Sequence, residues 1–558
     1  MILIEEKPAK HLPCLTSLFF TLPYFNKTIV DTLLQQDVRY YDKKTSENEF
    51  PITKLYFLVN LLKSYDDVEF IPYIKKEKKL VPVETSDFKV KPYSYQLEGI
   101  TYGANNEGWM LLDDQGLGKT LQMIYLAQTL KEKENLEHCL IICGVNGLKY
   151  NWANEIEKMS DLSYTILGKQ VSKKGRVSFC SLEDRCKLLK NKIDEFFVIT
   201  NLETLQSKEF CNAFKKSKNK FDMIVLDEAH KCKNSKSKSG SVLLKLKSKR
   251  CVALTGTILT NKPENAYVPL KWIGKINCTE NMFNNMYNVY GGVNNAQILG
   301  HKNLNLLQEL IASCSLRRLK SEVLKELPEK TFSIEYVEMD SRQEKLYNDV
   351  SVGITEELDK LKGKKKLTIL QELVMHMRQR QVTAWPGILS SSDVPSAKLD
   401  RLDDLLENIT AQNDKVIVYF TFKQMLPELV RRFSKYNPVF CVGGQKDVEI
   451  EDAKNKFNTD SNVKVMFCTW QKMGTGFTLT AANYAIFIDT PWNDSDFKQA
   501  CDRIHRIGQQ KNVFIITLIT KYTYDERVQE ILTRKERVSD YVLDGKDSED
   551  LIMLQDYI

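Results

Sequence analysis

The octapeptide DDQGLGKT, Asp113 to Thr120, has the residue types of a phosphate-binding turn. In such a turn glycines let backbone N–H groups approach a polyphosphate, the following helix start favours negative charge, and a lysine reaches the outer phosphates. Gly116 and Gly118 would shape the turn, Lys119 would meet the β and γ phosphates, and Thr120 would ligate magnesium. Asp113 stands where the general G-x-x-x-x-G-K-[ST] pattern has its first glycine, so that pattern is only partly matched. Further on, the apolar run DMIVL is followed by Asp227, Glu228, Ala229 and His230. An acid leaving a buried strand beside a phosphate turn can hold magnesium, and a neighbouring carboxylate can orient and deprotonate an attacking water. Asp227 and Glu228 are the candidates for those roles. Thr255-Gly256-Thr257 follows the run CVAL, and its hydroxyls could relay the state of the phosphate site. Gln96, upstream, offers a donor and an acceptor that suit an adenine edge. Finally, QACDRIHRIGQ places Arg503 and Arg506 three apart, which predicts one helix face carrying two guanidinium groups. Such groups suit the charge that develops on a transferred phosphoryl group.

These side chains need elements to hold them. WMLL before the turn and LQMIYLAQTL after it predict strand, turn and helix. CLIIC (139–143), FFVIT (196–200), DMIVL (222–226) and CVAL (251–254) are apolar runs of strand length with helical segments between them. That alternation predicts a parallel sheet covered on both faces, with ligands at the carboxyl ends of its strands. A second alternating region begins near residue 398, with strands at VIVYF, PVFCV, VKVMFC, YAIFI and VFIITLI and no glycine-lysine turn. Residues 1–85 read as a separate small α+β domain: a helix in FNKTIVDTLLQQ, two short strands in VRYYDKKTSENEFPI and a helix in LYFLVNLLKSY.

A chain of 558 residues is too long for one core, and 42% hydrophobic residues suffice for globular folding. There is no run of 18 apolar residues, and MILIEEKPAK carries acids where a signal peptide needs bases, so no membrane partner is expected. Thirteen cysteines without a C-x-x-C pair, and six histidines that do not cluster near them, argue for a reducing compartment rather than disulfides or zinc. The expected localisation is cytoplasmic and nucleoid-associated, or nuclear in a eukaryote. The net charge of +7 is local: residues 206–250 hold thirteen Lys/Arg against four Asp/Glu, leaving the remainder slightly acidic. Within that stretch Lys231, Lys233, Lys236 and Lys238 are either a solvated loop or contacts to a phosphate backbone, where lysines gain affinity by counterion release.

DDQGLGKT, DEAH, LTGT and QACDRIHRIGQ, in that order, resemble the Swi/Snf-type ATPases of helicase superfamily two. NWANEI, TNLETL, LRRLKSEVLKELPEKT, MGTGFTLTAANYAIFID and TYDERVQEIL agree, and the resemblance covers roughly residues 88–535. It implies an α/β fold of two RecA-like parallel-sheet lobes, at 86–335 and 336–535, with helical insertions around residues 275–330 and 340–390, before a tail at 536–558. It also implies ATP and Mg2+ as ligands and translocation of a monomeric motor along double-stranded nucleic acid, usually DNA. Gly474, Gly476 and Thr478 fall in the loop that links DNA contact to ATP in that family. Departures are Ile258 and Thr260, where proline and glutamine are common, and Phe477 and Thr478, where an aliphatic residue and asparagine are usual. The amino-terminal segment is similar to the HARP domain that precedes the motor in annealing helicases, with Asn48 near the place of a common tryptophan. That similarity implies branched or forked DNA as substrate. An ATP-gated clamp without processive movement is the alternative, and an RNA-directed helicase a further one.

Overall fold

The computed structural model describes residues 1–530, except 75–78, 85–86, 145–147, 168, 172–176, 180, 257–261, 292–296, 325, 361–364, 391–393, 446, 470–478 and 492–493. The described chain divides into two compact units, Met1–Asp114 with Gly118–Leu319, and Gln115–Leu117 with the chain from Lys320 onward.

The first unit begins with a five-stranded sheet, ordered Tyr40–Asp42, Glu47–Pro51, Thr16–Thr21, Ile2–Pro8, Val68–Ile71. Its pairings are antiparallel apart from Ile2–Pro8 with Val68–Ile71. The helices Lys27–Leu34 and Leu55–Lys63 supply Ile29, Leu33, Leu58 and Leu62 to a core that also holds Ile4, Leu18 and Phe50. Asn26 starts the first helix by accepting from the Ile29 N–H at 3.1 Å, the usual work of an N-cap. This is the expected α+β domain, enlarged by the strands Ile2–Pro8, Thr16–Thr21 and Val68–Ile71. It is less separate than its sequence suggested. Leu12, Cys14 and Val38 belong to the same apolar cluster as Phe283, Met286, Tyr287 and Leu307 of the following lobe. The Tyr287 hydroxyl donates to the Pro13 carbonyl. The loop that makes this contact is shaped by buried Glu49, whose carboxylate accepts from the N–H groups of Lys10, His11 and Leu12 and meets His11 Nδ1 at 2.8 Å.

The lobe itself is a seven-stranded sheet, ordered Ser315–Leu316, Gly108–Leu111, Arg250–Leu254, Phe221–Asp227, His138–Cys143, Phe197–Asn201, Tyr164–Ile166. Every pairing is parallel. The central strands are buried on both faces, which is why they read as continuous apolar runs. One face carries the helices Lys119–Glu134 and Leu148–Met159, and the other carries Glu280–Tyr287 and Leu304–Ser313, each with its own core. The expected insertion near 275–330 comprises those last two helices with a hairpin of Asn288–Gly291 and Gln297–His301 between them.

The second unit is a six-stranded, all-parallel sheet, ordered Lys330–Val337, Val513–Thr520, Tyr484–Phe487, Val416–Phe420, Val465–Thr469, Val439–Cys441. The expected division at 335/336 falls inside the strand Lys330–Val337, which pairs along its whole length with Val513–Thr520. Helices Ser341–Lys360 and Lys365–Ala384 form the second expected insertion. The latter ends in a buried polar knot. Arg380 donates to the Thr490 carbonyl and pairs with Asp489 at 3.5 Å, and Asp489 accepts from the Thr421 N–H at 3.0 Å. Beside it, fully buried Lys398 pairs with Asp525 at 2.6 Å.

Candidate nucleotide site and nucleic-acid face

The chain leaves the strand Gly108–Leu111, turns through DDQGLGKT and enters the helix Lys119–Glu134. Gly116 and Gly118 have φ of +88° and +74°, the left-handed region where a side chain is strained. A Cβ on Gly118 would lie 2.4 Å from Gln96 Nε2, so glycine is also required by the closeness of Gln96. Gln96 Oε1 accepts from the Tyr93 N–H at 3.0 Å and so helps to start the helix Ser94–Asn105. Lys119 Nζ donates to the carbonyls of Asp113 and Asp114 at 2.9 and 3.2 Å. Gln96, Gly118, Lys119 and half-buried Thr120 are thus brought to one place.

Asp113 replaces the first glycine of the general pattern for a physical reason. Its carboxylate is fully buried and accepts from Arg318 Nε at 2.9 Å, Arg318 Nη2 at 2.6 Å and Gln122 Nε2 at 3.0 Å. Arg318 also donates to the Tyr95 carbonyl and to Gln122 Oε1, and its backbone carbonyl receives the Asp114 N–H at 3.1 Å. One guanidinium therefore ties the helix bearing Gln96, the phosphate turn and the strand Ser315–Leu316 together. Arg317 adds bonds to the carbonyls of Leu112 and Gly256 at 3.2 and 3.3 Å. Sequence reasoning missed both arginines, although an acid in a glycine's place inside a buried turn calls for a cation.

Asp227 ends its strand with Oδ2 accepting from the Trp152 indole N–H at 2.8 Å and Oδ1 from the Glu228 N–H at 3.0 Å. Burial raises its carboxyl well above the ordinary carboxylate range and the Glu228 charge adds to that, while Trp152 and nearby Lys119 oppose the rise. Glu228 sits at φ +55°, strained backbone for a residue other than glycine, as is common where a side chain is aimed for chemistry. His230 Nδ1 lies 3.3 Å from Glu228 Oε2 and 3.2 Å from Thr255 Oγ1, which links the acid pair to the TGT turn. Thr257 lies outside the described residues. The donor set fits a nucleotide with its magnesium. Two left-handed glycines make the cradle, a lysine stands near an acid whose burial disfavours its lone charge, and Thr120 supplies a hydroxyl.

In the second unit the helix Asp494–Cys501 stops before Arg503 and Arg506. The expectation that both lie on one helix face is therefore corrected: they occupy successive turns, Arg503 buried and Arg506 half-exposed. The helix ends because local anchors take over. Lys320 Nζ reaches Asp502 Oδ1 and the His505 carbonyl, both at 2.7 Å. His505 Nε2 meets the Pro328 carbonyl at 2.9 Å, and Gln509 Nε2 donates to the Ala482 carbonyl at 2.8 Å. Gly508, at φ +101°, permits the final turn. Gly474, Gly476 and Thr478 lie outside the described residues.

The SNF2-related domain model matches residues 45–388, and the helicase conserved C-terminal domain model matches residues 397–508. The chain belongs to the SNF2-related family. Among curated relatives, it is 28% identical over 516 residues to the bovine (Bos taurus) "DNA annealing helicase and endonuclease ZRANB3", covering 87% of this chain and 42% of that protein. It is also 28% identical over 462 residues to an "Uncharacterized ATP-dependent helicase" of Mycoplasma pneumoniae, covering 80% and 41%. The chain thus spans about two fifths of the length of these relatives. Among solved structures, the "Sulfolobus solfataricus SWI2/SNF2 ATPase core in complex with dsDNA" aligns with a TM-score of 0.39 at 24% identity, over 86% of this chain and 97% of that one.

In this SNF2-related chain the lysine stretch starts at the acid pair itself. A Cβ on Gly144 would lie 2.8 Å from Glu228 Cβ and 3.3 Å from Lys231 Cδ, so Lys231 stands where the strand His138–Cys143 ends. Lys231, Lys236 and Lys238 are exposed and Lys233 half-buried. Ser237 caps the helix Lys238–Leu243 by accepting from the Gly240 N–H at 3.0 Å. Two cations missed in the sequence lie on the same strand-end side. Lys149 is buried, and its amine is held below the ordinary lysine range by burial and then by the charge of Arg185. Arg185 Nη1 donates to Thr204 Oγ1 at 2.7 Å. The signal for them was faint, since each is one of two or three basic residues in an otherwise ordinary helix.

Proposed function

We propose that the chain is an ATP-driven translocase on double-stranded DNA that remodels or anneals branched DNA, acting as a monomer in a reducing compartment. The observation that carries the ATPase part is the convergence, at the carboxyl ends of one parallel sheet, of Lys119, Thr120, Asp227 and strained Glu228. Lys119 would bind the outer phosphates, and Thr120 and Asp227 would hold magnesium. When bound, magnesium supplies charge neutralisation on the phosphate oxygens. Glu228 would orient the attacking water and take its proton, with His230 holding Glu228 against Thr255. Gln96 would read the adenine edge, and Arg503 and Arg506 would stabilise charge on the transferred phosphoryl group. Lys231, Lys233, Lys236, Lys238 and Arg185 would meet DNA phosphates, with Gly474, Gly476 and Thr478 contributing through the loop implied by resemblance.

The preference for branched DNA rests on the similarity of the amino-terminal domain and on a relative named an annealing helicase. The test is ATP turnover with matched single-stranded, duplex and forked DNA. Duplex or fork stimulation that disappears in Lys119→Ala and Glu228→Gln supports the motor; turnover insensitive to every DNA form ends this reading. A protein that holds forks in an ATP-dependent way but displaces no bound strand would be the clamp instead. Removing residues 1–85 is a poor test of fork preference, because Leu12, Cys14 and Val38 lie in the first lobe's core. Alanine at exposed Phe25 and Tyr56 keeps that core and probes the same domain.

A further inference from the structure

We infer that Trp152 is the positioning residue for Asp227, fixing the orientation in which that carboxylate receives magnesium. The inference rests on the nucleotide-site reading above and deepens it. Trp152 lies on the helix Leu148–Met159, is 1% exposed, and donates its indole N–H to Asp227 Oδ2 at 2.8 Å. The other oxygen accepts from the Glu228 N–H at 3.0 Å, so the two bonds grip the carboxylate from opposite ends. On the third side the strand His138–Cys143 closes in: a Cβ on Gly144 would come within 3.0 Å of the Asp227 carbonyl and 2.8 Å of Glu228 Cβ. The backbone of the acid pair is therefore fixed from the sheet, and of the two bonds that set the torsion of the Asp227 carboxylate the indole's is the one supplied by a side chain.

A buried tryptophan N–H generally seeks an acceptor, so the contact could be simple satisfaction of a donor. Trp109 speaks against that reading. It is as deeply buried in the same lobe, and its Nε1 has no hydrogen-bond partner among the described residues. This fold tolerates an unbonded indole N–H at Trp109 and sends that of buried Trp272 to the Leu246 carbonyl at 3.2 Å, whereas that of Trp152 is directed at the acid that ends the central strand. Partners of this kind, which hold a ligating side chain without touching the metal, set metal affinity through orientation.

Trp152→Phe keeps an aromatic ring in the core and removes the donor together with part of the side chain's bulk. Calorimetric titration with ADP, in EDTA and in excess Mg2+, separates the two roles. The expected result is unchanged affinity for ADP alone, with the gain in affinity on adding Mg2+ reduced about ten-fold. In an Asp227→Asn background the same change should add less than about two-fold, because both act through one carboxylate. Trp152→Phe that keeps the full Mg2+ gain, or that weakens ADP equally with and without Mg2+, overturns the inference, as does additivity with Asp227→Asn. If Trp152→Phe melts below the assay temperature, benzothienylalanine at position 152, with sulfur in place of the N–H, takes its place under the same criteria. The underlying site reading fails separately, if the unaltered protein binds ADP no better than Lys119→Ala does or Asp227→Asn retains the Mg2+ gain.

Discussion

Arg318 converts a departure from a motif into a fixed joint. Its guanidinium meets a carboxylate, an amide and a carbonyl within a region closed to water, and the pair it makes with Asp113 spans 205 residues of sequence. Removing one partner of a buried ion pair leaves an uncompensated charge, which costs about 3–5 kcal/mol, whereas replacing both can be nearly neutral. Arg318→Met should lower stability in a denaturant titration by that amount, and Asp113→Ala with Arg318→Met should recover most of it. A single variant as stable as the parent would show that the pair does not hold the turn. Nothing local in LRRLK announces that role. The phosphate turn and the acid pair were legible because their chemistry lies within a few consecutive residues, but Arg318 and Trp152 act across distances in sequence that spacing cannot reveal.

Elements show the same division. The strands Arg250–Leu254 and His138–Cys143 were legible because burial on both faces leaves only apolar residues. Lys330–Val337 was not, since it is an edge strand with five of its eight residues exposed and carries no apolar run. The arginine helix failed for another reason: three-residue spacing describes a helix only while the helix lasts, and Asp502 ends it by pairing with Lys320 and Lys330. Burial pushes the Asp502 carboxyl up, but Lys320 and then Lys330 outweigh it and hold it below 3.8. The unfolded chain then binds more protons in acid, so this stabilisation is present above pH 3.8 and is lost as pH falls through the folded value. Asp502→Asn should therefore lower the melting midpoint at neutral pH and flatten its decline below pH 3.8, measured by thermal scans across pH. In the amino-terminal domain, Glu49→Ala would leave the Lys10, His11 and Leu12 N–H groups without their acceptor. A loss of about 1–3 kcal/mol and faster hydrogen exchange confined to residues 9–15 are expected.

At the scale of the molecule, charge is segregated. An otherwise slightly acidic chain gathers its positive surplus into residues 206–250, and the lysine run within it begins beside the acid pair, at Lys231. If Lys231, Lys236 and Lys238 each neutralise a DNA phosphate, replacing one with Gln should reduce the slope of log affinity against log salt by about 0.9, measured by anisotropy on a duplex. An unchanged slope would return them to a solvated surface. The docking of the loop at residues 9–15 also sets an order of manufacture. Pro13 waits for Tyr287, 274 residues later. At about 5–20 residues per second, a ribosome leaves Leu12 and Cys14 without their apolar neighbours for roughly 15–55 s. The first sheet to be synthesised thus emerges with a sticky loop whose cover is completed only by a distant part of the next lobe, and until then its safe passage falls to whatever shields nascent chains.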